Sequence, residues 1–126
     1  MDWKPAGYNS VAPYLIVDDA ERVIAFLGTI FGAAVTRRYN DDAGRIIHCE
    51  VKLDDSVVMI ADSTRDWQAV RAVLHVYVSD VDAVYRRALA AGARSLQEPA
   101  ERDGDPDRRG GFEDPAGNSW FIATQQ

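Results

Sequence analysis

The feature that most constrains this chain is that its sequence plan occurs twice. Sliding the 126 residues by 62 sets Pro13 on His75, Asp18 on Asp80, Leu27 on Leu89, Met59 on Phe121 and Ile60 on Ile122. Self-similarity at one fixed spacing means a supersecondary unit used twice. The reading is therefore one domain over residues 1–126, made of repeats at about 11–62 and 73–124 joined by a linker at 63–72.

Each repeat opens with an apolar strand ending in an aspartate, Val11 to Asp18 and Val73 to Asp80. A helix follows. Ala20, Val23, Ile24, Leu27 and Ile30 recur at the spacing of one helix face before Gly32, as do Val81, Val84, Tyr85, Ala88 and Leu89 before Gly92. Asp18 or Asp19, and Ser79 or Asp80, are the expected N-caps. Extended segments come next. Arg45 to Leu53 alternates, with Ile47, Cys49, Val51 and Leu53 on its apolar side and His48, Glu50 and Lys52 among those opposite. Asp54 to Ser56 turns the chain into Val57 to Ala61, and Asp114 to Asn118 turns it into Ser119 to Thr124. Glu98 to Gly111 has no apolar residue beyond Ala100 and reads as a solvated loop or flap.

Composition narrows the function classes. With 47% hydrophobic and 27% charged residues the chain is a folded globular domain, and a net charge of −6 argues against a nucleic-acid backbone or an anionic membrane as partner. No apolar run reaches the roughly 18 residues of a membrane helix, and the opening Met1-Asp2-Trp3-Lys4-Pro5 lacks the pattern of an export signal. The single cysteine, Cys49, excludes an internal disulfide and any cysteine-based metal cluster, which fits the cytoplasm. A small molecule is the expected partner. Paired carboxylates at Asp18-Asp19, Asp41-Asp42, Asp54-Asp55 and Glu113-Asp114 all sit at turns or helix starts, where Asp satisfies backbone donors. No glycine elbow surrounds Ser119, and no glycine-rich loop opens a helix to hold phosphate.

A strand, a helix and three strands used twice, with Asp114-Pro115-Ala116-Gly117-Asn118-Ser119-Trp120-Phe121-Ile122 closing the second copy, resembles the vicinal oxygen chelate superfamily. Ala12-Pro13-Tyr14-Leu15-Ile16-Val17-Asp18, Phe31-Gly32-Ala33 and Asp107-Arg108-Arg109-Gly110-Gly111 look most like its bacterial glyoxalase-like branch. That group includes glyoxalase I, bleomycin-resistance proteins and ring-cleaving dioxygenases. The resemblance implies an α+β fold of two βαβββ modules, whose curled mixed sheet surrounds a cavity and whose helices pack outside.

On that plan alternation puts Tyr14 and Ile16, or Val76 and Val78, toward the helices, and Pro13, Leu15 and Val17, or His75, Tyr77 and Ser79, toward the cavity. Val58, Ile60, Trp120 and Ile122 face the helices, while Val57, Met59, Ser119 and Phe121 face the cavity. Metal-dependent members draw ligands from the first and last strand of each module. Those places hold Pro13, Met59, His75 and Phe121 here, of which His75 is the good ligand type. No metal and no cofactor is therefore expected. A centre built from His48, Glu50 and His75 has suitable ligand types, but the reading prefers a partly solvated His48 and Glu50 pair.

The resemblance thus implies a metal-independent small-molecule binder that sequesters an antibiotic or another amphipathic or aromatic compound, acting as a homodimer. His48, Glu50, Met59, His75, Tyr77, Ser119 and Phe121 are the candidate ligand-binding residues. The alternative is a metal-independent lyase or isomerase with His48, Glu50 and His75 as the candidate catalytic groups. A metal-dependent lyase or dioxygenase is the remote third.

Overall fold

The computed structural model describes residues 2–126 and divides into two compact units, the first ending at Val70 and the second starting at Arg71. Each unit is one βαβββ module, and the fold is α+β. The first contains β1 (Tyr14–Val17), α1 (Ala20–Phe31), β2 (Ala34–Asn40), β3 (Ile46–Leu53) and β4 (Ser56–Asp62). The second repeats this as β5 (Val73–Tyr77), α2 (Val81–Ala90), β6 (Arg94–Glu101), β7 (Asp107–Glu113) and β8 (Ser119–Gln125). The sheets have matching orders, β1-β4-β3-β2 and β5-β8-β7-β6, with the first strand parallel to the last and the remaining pairs antiparallel. No described helix is long and apolar enough to cross a membrane.

The helices start and stop where their sequences say. Asp19 and Asp80 are the N-caps, accepting from the backbone N–H of Arg22 at 3.3 Å and of Ala83 at 3.1 Å. Gly32 ends α1 in the left-handed conformation at φ 69°, where a Cβ is costly. A second device was not visible in sequence: the last strand of each unit caps its own helix. Asp62 accepts from the N–H of Ala20 at 2.8 Å, and Thr124 from that of Val81 at 2.9 Å. The buried face of α1 carries Val23, Ile24, Leu27 and Ile30, and the helix packs on β3 and β4.

The core locates the helix-facing side of each sheet. Leu15, Val17, Cys49, Val51, Leu53, Val58 and Ile60 are buried in the first unit, and Phe112, Trp120 and Ile122 in the second. Cys49 is a buried free thiol, and burial pushes it upward in pKa. Asp114 ties the last hairpin. Its carboxylate accepts from the backbone N–H of Ala116 (2.8 Å) and Asn118 (3.0 Å), from the Asn118 amide (2.9 Å) and from the Trp120 indole (2.9 Å).

Three expectations are corrected. Leu15 and Val17 are buried in the core, whereas Tyr14 and Ile16 take the opposite face, so β1 is reversed from its expected orientation. The cause is a one-residue difference between hairpins. Glu50 and Met59 are partners across the first, Gly111 and Phe121 across the longer second, so an alignment set on the last strands slips by one on β1. Second, Ile47 is 54% exposed and does not join Cys49 and Val51 in the core, because a bulge places Tyr39 opposite His48 but Asn40 opposite Ile46. Third, residues 98–111 are no loop: they form the end of β6, a short turn and the start of β7. Ion pairs replace apolar alternation there, with Arg108 on Asp82 at 2.9 Å and Arg109 on Asp105 and Asp107, each at 3.1 Å.

Candidate functional site

The face of the first sheet away from α1 carries a connected chain of polar side chains. Tyr14 on β1 is opposite Met59 on β4, which is opposite Glu50 on β3, which is opposite Arg37 on β2. Glu50 is only 3% exposed and lies in a cage of donors. One oxygen accepts from the Tyr8 hydroxyl, the other from His48 Nε2 at 2.6 Å, and Arg37 Nε stands 3.9 Å away. His48 Nδ1 is 2.8 Å from the Tyr14 hydroxyl, and its ring stacks on Tyr39 with centroids 6.3 Å apart.

Burial alone would raise the Glu50 carboxyl, but the hydrogen bonds from Tyr8 and His48 and the charge of Arg37 outweigh it and hold the group below its ordinary value. The Tyr14 phenol is pushed up, first by burial and then by the Glu50 charge. Tyr8 is raised because its hydroxyl is bound to Glu50. The unit therefore holds a carboxylate, an imidazole and a neutral phenol in series.

Beside this chain, entirely within the first unit, is a pocket of about 600 Å³. Tyr14, Ile16, Ile46, Ile47, Ala61 and Trp67 supply its apolar wall, and Asp41, Arg45, Asp62 and Thr64 its polar rim. The rim is committed to structure: Asp41 accepts from the N–H groups of Ala43 and Arg45, each at 2.9 Å, and Arg45 donates to the Ser63 carbonyl at 2.6 Å. Trp67 is held by a turn in which Thr64 Oγ1 accepts its N–H at 3.0 Å, and it stays 71% exposed.

The candidate residues divide between the units. His48, Glu50 and Met59 share the open face of the first sheet beside the pocket, but Tyr14 is the residue that joins that face to the pocket wall. Tyr14 and Trp67 were absent from the candidate set. The signal for Tyr14 was its place opposite Met59, which depends on the turn length that sequence could not fix. In the second unit, Ser119 and Phe121 lie opposite Val73 and His75. His75 Nε2 accepts from Arg109, its ring meets Tyr77 edge-on at 4.9 Å, and Tyr77 donates to Asp107 at 2.8 Å. Burial first, and then the Arg109 charge, hold the His75 imidazole below its ordinary pKa.

The resemblance set the first-strand metal place at Pro13, but the register puts Tyr14 opposite Met59 as His75 is opposite Phe121, so the corresponding places hold Tyr14 and Met59 in one unit and His75 and Phe121 in the other. Tyr14 is a protonated phenol bound to His48, Met59 is a thioether, Phe121 has no donor atom, and one His75 nitrogen is taken by Arg109. Such a set does not fit a divalent ion that needs about three strong donors. Among the described residues, no group of three or more His, Cys, Asp or Glu is arranged to hold a metal.

Comparison with known proteins agrees with this architecture. The family model for the Glyoxalase/Bleomycin resistance protein/Dioxygenase superfamily matches residues 7–122. An uncharacterised protein of Mycobacterium bovis is 30% identical over 124 residues, covering 90% of this chain and 81% of that protein. Among solved structures, TioX from Micromonospora sp. ML1 superposes with a TM-score of 0.79 at 22% identity, covering 94% of this chain and 99% of TioX. TnmS3, an antibiotic binding protein from Streptomyces sp. CB03234, gives 0.70 at 19%, covering 94% and 100%. With a family match over nearly its whole length and two βαβββ modules, the chain belongs to the glyoxalase/bleomycin resistance protein/dioxygenase superfamily.

Proposed function

We propose that this protein binds a small, partly aromatic organic molecule on the open face of its first sheet, without a metal ion. The observation that carries the reading is the pocket of about 600 Å³ beside the Tyr14, His48 and Glu50 chain. Its size is that of small-molecule sites, and an apolar wall with a few oriented polar groups is their usual make-up. Tyr14 and Trp67 offer flat surfaces for a ring, and His48, Glu50 and Met59 border them. His75, Tyr77, Ser119 and Phe121 lie on the corresponding face of the second sheet, and a ligand-binding role for that face, taken by itself, belongs to the proposal as well.

The antibiotic-binding description of TnmS3 supports sequestration of an antibiotic or a similar amphipathic compound as the role. The reading includes a homodimer working in the cytoplasm. Tyr14, Ile47, Trp67, Val70 and Val73 are all exposed in the single chain, and apolar surface of that kind favours a covered state. Sedimentation reads the dimer directly, and a monomer at micromolar concentration would remove it.

Native mass spectrometry of protein taken straight from cells tests the binding itself. The expected result is one organic molecule per chain, retained through chelation and missing from an Ile47→Lys variant, which charges the pocket wall at an exposed position. A divalent ion lost together with the ligand would overturn the metal-free reading.

A further inference from the structure

The hydrogen-bond chain behind Tyr14 sets the polarity of what the pocket can accept. This inference rests on the proposal that the pocket takes an aromatic ligand. Both Glu50 oxygens receive donors, Tyr8 on one and His48 Nε2 on the other, so the imidazole must carry a proton on Nε2. In the neutral ring, Nδ1 is then an acceptor, and the Tyr14 hydroxyl 2.8 Å away has to spend its single proton on it. What Tyr14 has left for the pocket is lone pairs.

We infer that Tyr14 is a specificity-determining residue that selects aromatic ligands bearing a hydroxyl or N–H donor over their alkylated counterparts. His48 and Glu50 are the positioning residues that fix its direction. A ligand presenting only acceptor oxygens meets an acceptor and leaves both groups unpaired, which is where polar sites discriminate most strongly. Electrostatics supports the same sign. The Glu50 carboxylate behind Tyr14 repels lone pairs, and the raised phenol stays protonated, so the relay keeps its direction.

The test compares 2-naphthol with 2-methoxynaphthalene, a pair alike in ring but different in donor, by titration at pH 8. The wild type should favour 2-naphthol by about fivefold or more, the effect of one hydrogen bond. Tyr14→Phe should bring the ratio to about one. Glu50→Gln separates positioning from mere packing. A glutamine amide can donate to His48 Nε2, which moves the ring proton to Nδ1 and turns the Tyr14 hydroxyl toward the pocket, so its ratio should also fall toward one. A purely structural Glu50 would weaken both probes together and leave the ratio at the wild-type level. Equal wild-type affinities, or a ratio unchanged in either variant, overturn the polarity inference while the pocket stands. If the wild type binds neither probe, the pocket reading fails and the inference fails with it.

Discussion

The Tyr14 hydroxyl reaches diagonally past its own cross-strand partner, Met59, to His48 Nδ1 at 2.8 Å. The second unit contains the same relation. His75 is opposite Phe121, which is opposite Gly111, yet its hydrogen bond goes to Arg109, two residues before Gly111 as His48 is two before Glu50. Duplication has kept the diagonal and changed the chemistry. Where the first unit sets a phenol on an imidazole backed by a carboxylate, the second sets an imidazole on a guanidinium backed by Asp105 and Asp107. One diagonal ends on a carboxylate with Arg37 3.9 Å away; the other ends on a guanidinium between two carboxylates.

The His75 diagonal predicts acid sensitivity. Its imidazole is held below the ordinary value of about 6.5 by burial and by Arg109, so the unfolded chain binds the extra proton first. Stability that is complete above about pH 6.5 should fall as pH drops through the window beneath it. Melting temperatures between pH 7.5 and 5 should show this slope in the wild type and a flatter profile in His75→Gln. Equal slopes would remove His75 as the source.

Glu50 acts in a lower window. Its carboxyl is depressed, so its contribution is present above the ordinary glutamate value of about 4.3 and is lost as pH falls toward the lower folded value. Glu50→Gln should therefore melt below the wild type at pH 7, with the gap closing under acid. A gap that persists at pH 3 would mean that packing, not charge, holds Glu50 in place.

Gly111 should resist any side chain. A Cβ built there lies 2.8 Å from Phe121 Cδ1 and 3.0 Å from Cε1, so Gly111→Ala forces the ring aside. The expected cost is about 1 to 3 kcal/mol by denaturant unfolding. Adding Phe121→Val should recover most of it, and strict additivity of the two changes would deny the contact.

Much of the fold could be read because its signals are local. The helix at Ala20–Phe31 shows as a face of Val23, Ile24, Leu27 and Ile30 with a capping Asp and a closing Gly, and each is a matter of neighbours along the chain. Face assignments in the second unit follow from Trp120 and Ile122, which are unambiguous. The first strand misled because its orientation depends on a hairpin one residue shorter than its twin, and Tyr14, Leu15, Ile16 and Val17 are too uniformly apolar to show which pair points inward. Residues 98–111 misled for the opposite reason. Arg108 and Arg109 hold that hairpin through Asp82, Asp105 and Asp107, partners whose pairing a hydrophobic pattern does not record. The His48 and Glu50 pair was legible from alternation; the diagonal to Tyr14 was not, since it crosses three strands.

Asp114 should be the most sensitive carboxylate for stability. It is 4% exposed and accepts four hydrogen bonds, so Asp114→Ala leaves the Asn118 amide and the Trp120 indole without this acceptor in the core. A loss of about 2 to 4 kcal/mol is expected in denaturant unfolding. A loss under about 0.5 kcal/mol, the size of an ordinary surface change, would show that the turn holds itself.

Calorimetric titration of chelator-dialysed protein with 2-naphthol tests the central claim, metal-free binding in the first unit's pocket, most directly. The account predicts saturable binding near one molecule per chain, the same affinity after zinc or manganese is restored, and at least about tenfold weaker binding in Ile47→Lys, since an apolar ring seated on that wall would take the ammonium out of water at a cost above about 1.4 kcal/mol. Binding that appears only when a divalent ion is added, or that Ile47→Lys leaves untouched, would contradict it.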